Sequence, residues 1–279
     1  MPLRLRTLFG IGCLAILGLS CSSTGPPLEP MKDCIELESC EPVQALLKAP
    51  LPIRAKLIKG LEHEDPQVRF WCAGALAEDA ELDAGSHLLR ALQDPEPEVR
   101  GAAAFALGQR RILRARPQLE SLLTSKEPEL KLAALLALAK IDLQESIPAI
   151  LPLLRDDSEE LRAFSAVTLG QLSALEAAED IQHLLKDPVA QVRSFAIEGL
   201  AELGHQGALT DIEPLLQDED WRVRASAIYG VQRLRGFSPS IRLQLEKLRA
   251  DDHEDVRKAA KNVLRALPSG KDPQLPQKP

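Results

Sequence analysis

A basic residue at the end of an acidic or polar turn recurs at a constant interval along this chain. The turns are DPQVR ending at Arg69, DPEPEVR at Arg100, SKEPELK at Lys131, DDSEELR at Arg162, DPVAQVR at Arg193, DEDWRVR at Arg224 and DDHEDVR at Arg257. Successive spacings are 31, 31, 31, 31, 31 and 33 residues. A period of this length predicts a stack of like units, each too small to bury its own hydrophobic face and each completed by its neighbours, in place of one compact core.

Each unit reads as two helices. Before the turn, aliphatic residues pair at helical spacing: Leu57 and Leu61, Leu88 and Leu92, Leu119 and Leu123, Ile150 and Leu154, Ile181 and Leu185, Ile212 and Leu216, Leu245 and Leu248. These define one buried face. After the turn comes a second helix with alanine early and leucine later, as in Ala103 and Leu107, Ala134 and Leu138, Ala196 and Leu200. Alanine there lets neighbouring helices approach closely. Aromatics are only 3% of the chain, which favours helix over the β-branched and aromatic composition of strands. Cys72 stands where the other repeats carry alanine or serine and reads as core filling.

The stretches GAAAFALG (101–108) and AFSAVTLG (163–170) complete a pattern, D-x-x-x-x-V-R-x-x-A-x-x-A-L-G, that resembles the bacterial HEAT-like repeat of the phycobilisome lyase type. Seven such repeats cover residues 52–267, so the expected fold is all-α, an α-solenoid of about seven HEAT-like helix pairs with a 31-residue period. The resemblance implies that each turn aspartate caps a second helix, meeting free N–H groups at the positive end of the dipole. Recurrence of the arginines beside them implies a structural Asp/Arg ladder of Asp65, Arg69, Asp94, Arg100, Asp156, Arg162, Asp187, Arg193, Asp218, Arg224, Asp251 and Arg257, the alternative being a row of ligand-binding arginines. Each guanidinium would bond a turn carboxylate or carbonyl of its own or the next repeat. Lys131 with Ser125 departs from the pattern.

The same resemblance places the second helices on the concave face, where a partner would bind. Five residues after each basic position come Phe105, Leu136, Val167, Glu198 and Tyr229; nine after come Gln109, Lys140, Gln171, Glu202 and Arg233. Two readings of the apolar members stand side by side: a peptide or protein groove, or simple burial between adjacent helices. Trp221, read as lying in a turn, is either a partner anchor or a shield for the turn below it, and Trp71 sits at a core position.

The ends differ from the middle. RKAAKNVLRAL, with Lys258, Lys261, Asn262 and Arg265, reads as a cap facing water, and residues 42–50 read as a short capping helix at the other end. At the N-terminus, Arg4 and Arg6 precede an apolar run and small residues ending at Cys21, the layout of an export signal. Ser20 and Cys21 resemble a bacterial lipobox, with Cys21 acylated; Gly18 and Leu19 depart from it, and the alternative is an incidental cysteine. Ser22 after the cysteine resembles an outer-membrane sorting signal. The expected organisation is a signal peptide over 1–20, a lipid-anchored tether over 21–41, the repeats over 42–267 and a disordered Pro-rich tail over 268–279. Cys34 and Cys40 in the tether are either bridged, as an oxidising compartment allows, or two free thiols.

Without residues 1–20 the chain holds 32 basic against 41 acidic residues, a net charge of −9. That opposes a nucleic-acid binder. No phosphate-cradling glycine loop, nucleophile elbow or zinc-ligand spacing occurs in the repeats, and His63, His87, His183, His205 and His253 fall at unrelated repeat positions and read as surface residues. The expectation is an envelope scaffold binding a protein or peptide, without enzyme activity, metal, cofactor or small-molecule substrate. A chromophore-handling enzyme like the bilin lyases, which share the repeat, and a nucleic-acid binder are the alternatives.

Overall fold

The computed structural model describes residues 55–79, 81–141 and 144–267. Cys21, Cys34, Cys40, the expected signal, tether and N-terminal capping helix, and the tail over 268–279 lie outside the described residues. Those that are described contain helices and no strand. The seven first helices are α1 (Lys56–Gly60), α3 (Gly85–Ala91), α5 (Arg116–Leu122), α7 (Ile147–Ile150), α9 (Ala178–His183), α11 (Leu209–Ile212) and α13 (Pro239–Leu248). The seven second helices are α2 (Pro66–Glu78), α4 (Pro97–Gln109), α6 (Pro128–Ile141), α8 (Glu159–Gln171), α10 (Ala190–Leu203), α12 (Trp221–Arg233) and α14 (Glu254–Ala266). The fold is an all-α solenoid of stacked helix pairs.

The first helices are shorter and less regular than the second. Pro152 and Pro214 have no N–H to give to the carbonyl four residues back, and around them α7 and α11 continue as 3-10 turns over Leu151–Arg155 and Glu213–Gln217. Tightening does not cost them their buried face. All fourteen paired aliphatics, from Leu57 and Leu61 to Leu245 and Leu248, are under 9% exposed. Helices this short are marginal alone, so their stability comes from packing on the second helices.

The described residues up to Ala149 and those from Ile150 onward form two compact units. In a repeat architecture each pair touches only its neighbours, so contacts gather into contiguous segments. In the first unit α2 packs on α4 and α4 on α6; in the second, α8 packs on α10, α10 on α12 and α12 on α14. Small residues set the spacing. A Cβ on Gly170 of α8 would lie 2.6 Å from the carbonyl oxygen of Gly199 in α10, and one on Gly199 would lie 2.4 Å from that of Ala166.

Among the described residues, four second helices end the same way. The residue eleven positions after the basic one is left-handed: Arg111 (φ 51°), Ser173 (φ 58°), Gly204 (φ 68°) and Arg235 (φ 54°). The next N–H then reaches back to a carbonyl five residues earlier, as Ile112 does to Leu107, Ala174 to Leu169, His205 to Leu200 and Gly236 to Val231. This is the Schellman closure. Only Gly204 meets it without a side-chain penalty.

Candidate functional site

In six of the seven pairs the turn between the helices carries an arginine where the third carries Lys131, and is built around it. Nη1 of Arg193 donates to the carbonyls of Asp187 and Pro188 in its own turn at 2.9 and 3.1 Å. Its Nε and Nη2 donate to the Asp218 carboxylate in the next turn at 2.9 and 2.8 Å. Arg69 grips Asp94 in the same bidentate way at 2.7 and 2.8 Å, Arg162 grips Asp187 at 2.9 and 3.2 Å, and Arg224 grips Asp251 at 2.8 and 2.9 Å. Arg224 also reaches Asp252 at 2.7 Å. Parallel N–H···O pairs of this kind are the strong form of ion pair. Hydrogen bonding to the aspartates raises the pKa of all four arginines against the opposing effect of burial. Burial pushes the Asp94 carboxyl up, but the bonds from Arg69 and the Glu96 N–H outweigh it and hold the pKa below the usual carboxylate value.

The aspartates do not sit where helix caps sit. Asp94, Asp156, Asp187, Asp218 and Asp251 each accept from the N–H two residues on, at Glu96, Ser158, Val189, Asp220 and His253. Those five donors are the N-cap residues, so the aspartate closes the turn ahead of the helix. Asp65 is the exception. It is the N-cap of α2, accepting from Gln67 at 2.8 Å, and its place in the ladder is corrected accordingly: the first repeat puts His63 six residues before the arginine. His63 accepts from the Asp65 N–H through Nδ1 at 3.0 Å and offers its carbonyl to Arg69. Arg100 bonds the carbonyls of Asp94 and Pro95 at 2.8 and 2.9 Å, and Arg257 those of Asp251 and Asp252 at 2.7 and 2.8 Å.

On the second helices, burial separates the candidate groove residues. Leu136 and Val167 are 6% and 7% exposed and belong to the core. Phe105, Gln109 and Lys140 are half-buried and Gln171 is exposed. Glu198, Glu202, Tyr229 and Arg233 come together on α10 and α12. Tyr229 donates to Glu202 Oε1 at 2.7 Å, and Arg233 lies 3.6 Å from the other oxygen of the same carboxylate. Beneath them Ser226 Oγ lies 2.7 Å from Ser194 Oγ and 3.5 Å from Glu198 Oε1. Nothing in the sequence singles out these two serines, one of them two residues after its arginine and the other one residue after, because small residues fill most such positions. Burial first, and then the bond to the negative Glu202, push the Tyr229 phenol up to about 12. With 39% of its surface exposed, Tyr229 is a large apolar ring with a fixed polar tip facing solvent.

Trp221 opens α12 instead of lying in the turn, and its ring stacks on that of His253 at 3.7 Å and 6°. Glu219, Asp220, Arg224 and Asp252 complete the walls of a shallow depression there. His63 and His253 are therefore half-buried turn residues and not free surface histidines; His253 Nδ1 also accepts from the Asp255 N–H at 3.3 Å. Trp71 is half-buried and meets Phe70 edge-on at 5.3 Å. Cys72 is fully buried. Among the described residues there is no cluster of His, Cys, Asp and Glu able to hold a metal, and no helix long and apolar enough to cross a membrane.

The sequence matches the model of a family described as HEAT repeats over residues 54–130, 85–170, 116–192 and 178–265. No curated protein matches it. Among solved structures, YibA from Escherichia coli is 18% identical with a TM-score of 0.60, over 88% of this chain and 100% of that one. An engineered protein is 21% identical with a TM-score of 0.52, over 80% of this chain and 72% of that one. The complex of CpcE and CpcF of the phycocyanin lyase from Nostoc is 21% identical with a TM-score of 0.48, over 88% and 97%. At these identities the likenesses concern the fold.

Proposed function

The chain belongs to the HEAT-repeat family, and from that premise we propose that it is a non-catalytic scaffold, tethered in a bacterial envelope by a lipid on Cys21, that holds a protein or peptide against its second helices. HEAT solenoids commonly bind protein partners, which supports the general class. The observation that carries the location is the exposed group of Tyr229, Glu202, Arg233 and Glu198 on α10 and α12. An amphipathic aromatic among fixed charges is the composition of an interface hot spot, and the hydrogen bond to Glu202 orders the ring before a partner arrives, which lowers the entropy lost on binding.

Export and anchoring rest on the layout of residues 1–21 and on the acidic balance, which suits a tethered domain and disfavours nucleic acid. Facing the periplasm from the outer membrane is the placement the residue after Cys21 favours.

Photo-crosslinking in the native cell tests the location. A probe replacing Tyr229 should give one discrete adduct, while a probe replacing Leu243 on α13, 59% exposed and on the first-helix side, should give none. Equal yields from both positions would remove the second-helix face as the working surface. Anchoring is read separately: Cys21→Ala should abolish incorporation of a labelled fatty acid and release the protein from membranes.

A further inference from the structure

One arginine inside the ladder is followed, at the usual interval, by a turn that has no aspartate. Counting 25 residues on from Arg69, Arg162 and Arg193 reaches Asp94, Asp187 and Asp218, each gripped through Nε and Nη2. The same count from Arg100 reaches Ser125. Nη1 of Arg100 is nevertheless held by two carbonyls of its own turn, at 2.8 and 2.9 Å, as Nη1 of Arg193 is held at 2.9 and 3.1 Å. Anchoring Nη1 on two acceptors fixes the plane of a rigid guanidinium, so Nε and Nη2 of Arg100 are oriented as in the rungs that grip a carboxylate.

The facing turn keeps the remaining parts of the site. Ser125 Oγ accepts from the Glu127 N–H at 3.3 Å, taking over the turn-closing bond made by aspartate elsewhere. Its hydroxyl donates to Glu127 Oε2. The Glu127 carboxylate is held low first by that hydroxyl, with the positive field of Arg100 a smaller contribution. A serine is one carboxylate shorter in hydrogen-bonding reach than the aspartate it replaces. What it lacks is the pair of oxygens that would meet the fork.

We propose that Arg100 and the Ser125 turn form a binding site for a carboxylate carried on an acidic side chain of a protein partner. The incoming oxygens take the places that Asp94 or Asp187 oxygens take in the intact rungs, accepting from Nε and Nη2 of Arg100, with the Ser125 hydroxyl free to turn from Glu127 to the guest. Bidentate geometry selects a planar carboxylate over chloride. This surface lies on the turns of the first unit and is independent of the Tyr229 group. Arg257 has the same carbonyl-anchored Nη1, and among the described residues no turn follows its helix, so it serves as an internal control.

The test follows the arginine Nε–H resonances of the full-length protein by NMR while a blocked Ala-Asp-Ala peptide is added at constant ionic strength. Arg100 should shift along a saturable curve, whereas Arg69, whose fork is filled, should not move and Arg257 should drift only linearly. Ser125→Asp supplies the missing carboxylate from within and should abolish the Arg100 response while leaving the others unchanged. A flat Arg100 curve, which would mean that Glu127 occupies the fork, overturns the proposal. So does a response equal to that of Arg257, or one that survives in Ser125→Asp. Acetate in place of the peptide separates the sources: binding of acetate with exclusion of the peptide would make this a site for a small free carboxylate and would overturn the partner assignment.

Discussion

At the scale of single residues, the ladder arginines carry more than a surface charge. Arg193 is 8% exposed and makes four hydrogen bonds. Replacing it with methionine strands the Asp218 carboxylate and two turn carbonyls, and is expected to cost about 2–4 kcal/mol in urea denaturation, near the range for breaking a buried pair. Arg222 makes an equally short pair with Asp220, 2.6 Å, but its side chain is 58% exposed. Arg222→Met should cost under about 1 kcal/mol; equal losses for the two variants would refute the distinction drawn from burial. The left-handed residues make an opposite case. Arg235 and Ser173 hold a positive φ that an L side chain disfavours by about 1–2 kcal/mol. Glycine there relieves the strain but gains freedom in the unfolded chain, so each single replacement should stabilise by about 0.5–1 kcal/mol, read as a raised denaturation midpoint.

Among elements, what matters is how closely consecutive second helices approach. Gly170 and Gly199 allow α8 and α10 to touch backbone to backbone, and a methyl on Gly170 would fall 2.7 Å from the Gly199 Cα. Gly170→Ala must push the helices apart and should cost about 1–3 kcal/mol, the range for overpacking. Gly74, in the middle of α2, has nothing within 4 Å of where its Cβ would be. There the same substitution gains helix propensity alone and should stabilise by about 1 kcal/mol. Two Gly-to-Ala changes of opposite sign, compared by thermal melting, test whether spacing or propensity governs each site.

For the whole molecule, acid is the condition that reaches many turns together. Bonding to Arg222, opposed by burial, lowers the Asp220 carboxyl to about 2, and the carboxyls of Asp94 and Asp251 are also below their ordinary value. A folded pKa below the unfolded one means stability is complete above the unfolded value, about 4, and lost as pH falls through the folded values. The urea midpoint should therefore be level from pH 7 to about 4.5 and fall steeply between about pH 4 and 2. A midpoint unchanged down to pH 2.5 would show that the Arg69–Asp94 and Arg224–Asp251 pairs contribute nothing to stability.

The repeat, the helix pairs and their core faces were all legible in the chain, because period and hydrophobic spacing are one-dimensional properties: the pairs from Leu57 and Leu61 to Leu245 and Leu248 are buried as the spacing requires. The pairing of Arg69 with Asp94 or of Arg193 with Asp218 was open between own and next repeat until the stack was seen, since a bond across 25 residues depends on how successive turns superpose. Position along a helix likewise could not separate Leu136 and Val167, which are core, from Tyr229, which faces solvent. All three share one repeat position; their exposure is decided by what the neighbouring helix places beside them. Local sequence determines which face of a helix is apolar, but only the packed neighbours determine how much of that face water still reaches.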